Sequence, residues 1–382
     1  MKTVNFLTSH FLPENTACTN RVLAYIKVLE KEYKVNIIAL SEKGILPKEN
    51  KVQYSENTTI HYVYQKDFDG KNFVKRALNE IHYIKKLINI SNNLQSDIVV
   101  ATTPYMFMIP LVGFMIKRKK ILDIRDLVWE YLDQNSVPKK IIKSTLKIIM
   151  TQGIKQFDSI IITNEYEKNL LSTNYGLNEP TIISNGIDKE RYSKLSNIQT
   201  KETSEFIVTY VGNIGLAQNI KVLIDSAKEL QDVSFYIIGD GIELEELKTY
   251  AKNLNLKNIK FLGKLEWDEL KSYYEKSSIL YAQLDSKYIS AMPSKLYEYA
   301  SVGLPIIYGG VGQATTFVNK LENALVITPN STESLIDAID KLKNKKNIIS
   351  EKNRKLIEKE YLREKSVNKI IDITKHLTGA KK

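Results

Sequence analysis

Short apolar runs alternate with longer amphipathic stretches along almost the whole chain, and this alternation limits the fold more than any other feature. Runs this apolar must be covered on both faces, and the stretches between them carry helical periodicity, so the pattern predicts parallel sheets sheathed by helices. In the first half Val4–Leu7, Val35–Leu40, Thr59–Tyr64, Ile98–Ala101, Lys120–Asp123 and Ser159–Thr163 read as strands. In the second half Phe206–Val211, Ser234–Ile238, Ile259–Phe261, Ile279–Ala282, Pro305–Tyr308 and Leu325–Ile327 do so. Asn20–Tyr33 carries Val22, Leu23, Tyr25, Ile26 and Leu29 at helical spacing. Ile220–Leu230, Ile242–Leu254, Trp267–Lys276, Ser294–Val302 and Ser331–Leu342 read as helices of the second series. The 382 residues suit two domains of roughly 100–200 residues each. The expectation is an α/β fold of two Rossmann-like domains facing a cleft, residues 1–186 and 187–362, with a last helix near 363–382 able to pack back on the first. Glycine usage changes at the same boundary, with four before Gly176 and ten from Gly186 to Gly312. The polar stretch Ser184–Thr203 reads as linker.

Composition narrows the chemistry. The single cysteine, Cys18, rules out an internal disulfide framework and a multi-cysteine zinc site. The four histidines, His10, His61, His82 and His376, lack metal-ligand spacing. Asp67-Phe68-Asp69 has the form of a divalent-cation motif, but it stands in a polar loop before Gly70 and reads as solvated. No metal and no cofactor are expected. Met1–Leu7 lacks the apolar core of a signal peptide. The longest nearly uncharged tract, Ala101–Ile116, is broken by Pro104, Pro110 and Gly113 and is shorter than the roughly 20 residues of a spanning helix. A cytoplasmic protein is expected.

The net charge of +11 is concentrated: Lys71–Phe157 holds fifteen Lys/Arg against six Asp/Glu. Such a face suits an anionic partner. Within it, Pro138–Phe157 has Lys139, Lys140, Lys143, Lys147 and Lys155, no acidic residue, and Ile141, Ile142, Leu146, Ile148, Ile149 and Met150 between them. It reads either as a basic amphipathic helix lying on an anionic bilayer or as a packed helix with a lysine-rich solvent face. Nucleic-acid recognition modules and interleaved aromatic platforms are not evident.

The first 43 residues contain no glycine, so the glycine fingerprint of a nicotinamide dehydrogenase is missing after the first strand, and a Walker loop is absent. Ligand sites are then sought at the carboxyl ends of other strands. Tyr210-Val211-Gly212-Asn213-Ile214-Gly215 and Gly239-Asp240-Gly241 each follow an apolar run. Either they are tight turns, or their glycines admit a phosphate to the backbone. The segment from Ala291 to Ile307 is the most informative. Ser294 reads as its helix N-cap, Tyr297, Ala300 and Ser301 or Val302 face inward, and Lys295 and Glu298 are neighbours on one helix face. The pair is either a surface ion pair worth little or a site in which Lys295 meets a diphosphate and Glu298 meets ribose hydroxyls.

These motifs resemble nucleotide-sugar glycosyltransferases of the GT-B fold, specifically the retaining family 4. Glu298, Gly303 and Pro305 match the end of that family's site motif. His10-Phe11-Leu12-Pro13-Glu14 with Arg21, Gly212-Asn213-Ile214-Gly215-Leu216-Ala217-Gln218, Gly239-Asp240-Gly241 and Pro293-Ser294-Lys295 are similar to the subgroup with N-acetyl-L-fucosaminyl transferases of O-antigen and capsule assembly. The resemblance implies a UDP-sugar donor held by Gly212, Asn213, Gly215, Gly239, Leu265, Ser290, Pro293, Ser294, Lys295 and Glu298. It implies a polyprenyl-diphosphate-linked glycan acceptor, met near Glu14, Asn15, Thr16 and Arg21 on the inner face of the cell membrane, and retention of anomeric configuration. Three positions depart from the family. Ser290 replaces a second glutamate, Asn213 and Gln218 replace an arginine and a lysine, and Ala101-Thr102-Thr103-Pro104 lacks a histidine. The second departure moves diphosphate neutralisation to Lys295, backbone amides and Arg21; the third leaves Asp126 as the N-domain catalytic group beside Lys295. A UDP-sugar 2-epimerase of the same architecture and a basic nucleic-acid-binding protein are the alternatives. The few histidines count against the first.

Overall fold

The computed structural model describes residues 1–14, 16–68, 73–132, 135–177, 179–201, 203–345 and 348–379. Its backbone divides into unit 1, Met1–Asn185 with Glu364–Lys382, and unit 2, Gly186–Arg363.

Unit 1 is built on eight strands: β1 (Lys2–Thr8), β2 (Tyr33–Leu40), β3 (Lys51–Ser55), β4 (Thr58–Val63), β5 (Ile98–Thr102), β6 (Lys119–Asp123), β7 (Ser159–Ile162) and β8 (Thr181–Ile182). Their order is β3-β4-β2-β1-β5-β6-β7-β8. The central strands are buried on both faces because their apolar residues serve two cores. In β5, Ile98 and Val100 join the cluster under helix Ala17–Leu29, while Val99 and Ala101 join the cluster on the opposite face. All pairings are parallel except β3 with β4. That hairpin departs from the expected all-parallel sheet, and β3 is an outer strand whose residues are largely exposed. The C-terminal helix Lys369–Thr378 belongs to this unit, with Ile370 in its core and Lys375 paired to Glu32 at 2.8 Å.

Unit 2 is a six-stranded parallel sheet: β9 (Phe206–Val211), β10 (Val233–Ile238), β11 (Ile259–Gly263), β12 (Ile279–Gln283), β13 (Ile306–Gly309) and β14 (Ala324–Ile327), in the order β11-β10-β9-β12-β13-β14. It too separates two cores: Ile279 and Tyr281 of β12 face one, Leu280 and Ala282 the other.

Three local expectations change. The first helix starts at Ala17 with Thr16 as N-cap and stops at Leu29, because Tyr33 already opens β2. The stretch read as linker contains helix Lys189–Ser196, started by Asp188, whose side chain accepts the Arg191 N–H at 2.8 Å. Ser294 does not cap its helix: Pro293 holds the cap position in extended conformation and Ser294 is the exposed first helical residue.

Candidate functional site

A doubly wound sheet leaves a crevice where its strand order reverses, outside the carboxyl ends of the flanking strands. In unit 2 the reversal lies between β9 and β12, and β9 runs straight into Gly212. Gly212 has φ +150° and Gly239 φ +141°, conformations that side-chain-bearing residues rarely adopt. A Cβ on Gly239 would stand 1.8 Å from the Gly212 carbonyl oxygen, so the two turns pack backbone against backbone. The Gly212 N–H donates to Ile238 O at 2.9 Å and the Ile214 N–H to Asp240 O at 2.8 Å. A Cβ on Gly212 would meet the Lys295 Nζ at 2.5 Å. Glycine is thus what lets an ammonium lie against this turn.

Helix Ser294–Val302 delivers that ammonium. Leu296, Tyr297, Tyr299, Ala300, Ser301 and Val302 are buried, which includes every inward position expected from the sequence. The Tyr299 hydroxyl accepts the Val211 N–H at 2.9 Å and donates to Tyr281 O at 3.1 Å, tying the helix to both strands of the reversal. One turn earlier on the same face, Lys295 donates to the Tyr210 hydroxyl at 2.7 Å and lies 4.0 Å from that ring's centroid. Burial pulls the Lys295 pKa down to about 7, with Glu298 opposing the shift. The amine is therefore poised to take a proton when an anion arrives.

Glu298 has another partner. Its Oε2 accepts from Arg191 Nη2 at 3.1 Å, and the guanidinium lies 4.6 Å from the centroid of the Trp267 ring. The loop beyond Gly212 is held from β12: buried Gln283 donates to Gln218 O at 3.0 Å and Asn219 O at 3.2 Å. Asn213 is exposed and donates to Gln218 Oε1 at 3.2 Å; a Cβ on Gly215 would meet the Asn213 amide nitrogen at 2.8 Å. Leu265 packs against the core beside Trp267, and Ser290 is buried in the loop before Pro293.

Unit 1 uses its charged residues differently. Arg21 and Asp123 are buried together, with Nη2 to Oδ1 at 2.7 Å, and Asp123 also accepts from Tyr25 and Thr102. Arg21 further donates to Ile183 O at 2.8 Å. Its guanidinium is occupied inside the core of unit 1. Thr16 spends its hydroxyl on the Thr19 N–H. Glu14 pairs with His10, and Asn15 lies outside the described residues. Asp126 is half-buried beyond β6, and burial raises its pKa. Fully buried Glu167, pushed up to about 8 mainly by burial, feels Asp126 as well. Asp67 caps the Phe68 N–H at 2.9 Å, and Asp69 lies outside the described residues. No group of three or more potential metal ligands occurs among the described residues.

The basic stretch is helix Val137–Ile154. Leu146 and Met150 face the core rather than solvent. Lys143 turns back to Glu130 O at 2.6 Å, and Lys147 lies 5.2 Å from the Tyr175 ring centroid. The exposed face instead carries Val137, Lys139, Lys140, Ile141, Ile142, Ile148 and Ile149. Among the described residues no helix is long and apolar enough to cross a membrane.

Residues 191–363 match the family described as Glycosyl transferases group 1. An uncharacterized glycosyltransferase of Methanocaldococcus jannaschii is 24% identical over 307 residues, 78% of this chain and 83% of its own. The protein is a glycosyltransferase. The UDP-Gal:alpha-D-GlcNAc-diphosphoundecaprenol alpha-1,3-galactosyltransferase of Escherichia coli is 28% identical to it over 210 residues, 50% of this chain and 53% of that one. Among solved structures, sucrose-phosphate synthase of Thermosynechococcus elongatus superposes with a TM-score of 0.78 at 13% identity over 100% of both chains. The glycosyltransferase has the GT-B fold. Three residues at its unit 2 site carry no motif signal: Arg191, Gln283 and Tyr299. Tyr299 was open to discovery, since it repeats the helix face of Lys295; Arg191 and Gln283 gain their importance only from partners distant in sequence.

Proposed function

We propose that this glycosyltransferase moves a sugar from a UDP-sugar to a polyprenyl-diphosphate-linked sugar, with retention at the anomeric carbon, in capsule or O-antigen synthesis. The observation that carries the reading is the Lys295 ammonium lying against the Gly212 turn at the reversal of the unit 2 sheet. A partly buried lysine whose charged form a counter-anion would stabilise, beside a glycine backbone turn, suits a leaving diphosphate. Glu298, steadied by Arg191, accepts the ribose hydroxyls. The printed name of the E. coli relative, with its UDP-Gal donor and diphosphoundecaprenol acceptor, supports the same pairing. Lys295 supplies the charge that a metal would otherwise bring, so no metal takes part.

The acceptor's lipid places the enzyme on the inner face of the cell membrane. The apolar and basic face of helix Val137–Ile154 suits an anionic leaflet: Ile141 and Ile148 enter the interface while Lys139 and Lys140 meet headgroups.

The test is incubation with a panel of UDP-sugars, UDP-N-acetyl-L-fucosamine among them, and lipid-linked acceptors, with and without EDTA. Transfer that survives EDTA, with the anomeric configuration retained by NMR, is expected. Epimerised free nucleotide sugar would identify an epimerase, and loss of transfer restored by Mg²⁺ would refute the metal-free site.

A further inference from the structure

A neutral group, not a carboxylate, holds Lys295. On β9 Tyr210 joins Val208 in the core and is fully buried, yet its hydroxyl reaches the Gly212 turn. A Cβ on Gly212 would stand 3.4 Å from that oxygen and 2.5 Å from Lys295 Nζ. The hydroxyl donates to the Asn213 carbonyl. A phenol has one proton to give, so toward Lys295 it can only accept, and Nζ donates to it at 2.7 Å. The amine also lies 4.0 Å from the ring centroid, where the negative face of an aromatic ring attracts a cation. Burial pushes the Tyr210 phenol well above its ordinary range, so the hydroxyl stays neutral.

A tyrosine that only fills a core needs one partner for its hydroxyl, and the Asn213 carbonyl already supplies it. Tyr210 carries a second contact, to the amine, on the same oxygen. Neighbouring groups do not replace that contact. Glu298, on the same helix face, opposes the fall in the Lys295 pKa but gives its Oε2 to Arg191 at 3.1 Å. The hydroxyls of Tyr281 and Tyr299 are directed to Gln283 Oε1 and to Tyr281 O. A carboxylate in place of the phenol would neutralise the amine and repel an incoming diphosphate. A phenol places the amine and leaves its charge unspent.

We propose that Tyr210 is the positioning residue of Lys295: one buried hydroxyl fixes both the ammonium and the turn it lies against, and leaves the positive charge free for the donor's diphosphate. The inference rests on the reading of Lys295 as the diphosphate's partner. Every residue in it belongs to unit 2.

The experiment is a double-mutant cycle on the full-length protein: wild type, Tyr210→Phe, Lys295→Met and the double variant, each titrated with UDP by calorimetry and with uridine by ligand-observed NMR. Tyr210→Phe keeps the ring and removes the hydroxyl. It should bind UDP roughly tenfold more weakly, the scale of one hydrogen bond to a charged group. Uridine lacks the diphosphate, and its affinity should stay within about twofold of wild type, while in the Lys295→Met background Tyr210→Phe should change UDP affinity by less than about twofold. That pattern separates a residue acting through Lys295 from one that merely packs. Unchanged UDP affinity in Tyr210→Phe overturns the proposal, as does an equal loss in both backgrounds. Parallel loss of uridine and UDP would mark Tyr210 as an ordinary core residue and overturns it too. Wild type and Lys295→Met binding UDP equally well would instead overturn the reading of Lys295 and this proposal together.

Discussion

Lys295 offers a measurement that needs no acceptor. Its pKa in the free protein is pulled down to about 7 by burial. At pH 8 such a group is only about one-tenth protonated. A diphosphate seated against it favours the charged form and returns its pKa toward the usual value near 10.4. UDP binding at pH 8 should therefore take up about 0.9 proton. The sign for affinity follows. The binding-competent ammonium becomes scarce as pH rises, so UDP binds more weakly above neutrality. From pH 7.5 to 8.5 the protonated fraction falls about eightfold, and affinity should fall with it by about 1.2 kcal/mol. The terminal phosphate of UDP, ionising near 6, adds little in that range. Calorimetry at pH 8 in phosphate and in Tris, which differ in ionisation enthalpy, reads the proton count directly. Lys295→Met should bind UDP weakly and take up no proton. Zero uptake by wild type, or the same uptake by Lys295→Met, would refute the argument.

Glu298→Gln should weaken UDP binding on the order of 1.5–3 kcal/mol, the scale of a hydrogen bond to a charged group; unchanged affinity by calorimetry removes Glu298 from the site. Arg21→Leu leaves Asp123 buried without its partner and should cost about 3–5 kcal/mol, seen as a clearly lowered melting temperature that Arg21→Leu/Asp123→Leu partly recovers; a melting temperature equal to wild type refutes the role. Ile141→Asp with Ile148→Asp and Lys140→Glu should abolish most sedimentation with anionic liposomes while sparing activity on a water-soluble acceptor analogue. Equal sedimentation would leave that face as ordinary solvent surface.

The twelve strands expected from the sequence are all present in the fold because each is apolar enough to serve two cores, a property a residue carries wherever it goes. What escaped notice lacks that property. β3 reads Lys51-Val52-Gln53-Tyr54-Ser55 and stays largely exposed at the sheet edge, and β8 is two residues long. Helix Lys189–Ser196 buries one residue, Leu195, and owes its start to the Asp188 cap.

The same division runs through the site. Gly212 and Gly239 were legible as turns because an unusual φ is a local demand that only glycine meets cheaply. Charged side chains were legible as charges but not as partners. Spacing places Lys295 and Glu298 on one helix face, yet the fold gives Lys295 to Tyr210 and Glu298 to Arg191, 107 residues away. Arg21, expected near a ligand, finds Asp123 across 102 residues, and Lys143, expected at a membrane, finds Glu130. Each charged group takes whichever polar partner the packed elements bring within reach, an opposite charge for Glu298 and Arg21 and a hydroxyl or a carbonyl for Lys295 and Lys143. Residues carried over from a family by motif are therefore safest where their work is done by the backbone. Where it is done by a charge, the partner must be found before the role is assigned, and at Glu298 that partner is an arginine which a bound ribose would have to share.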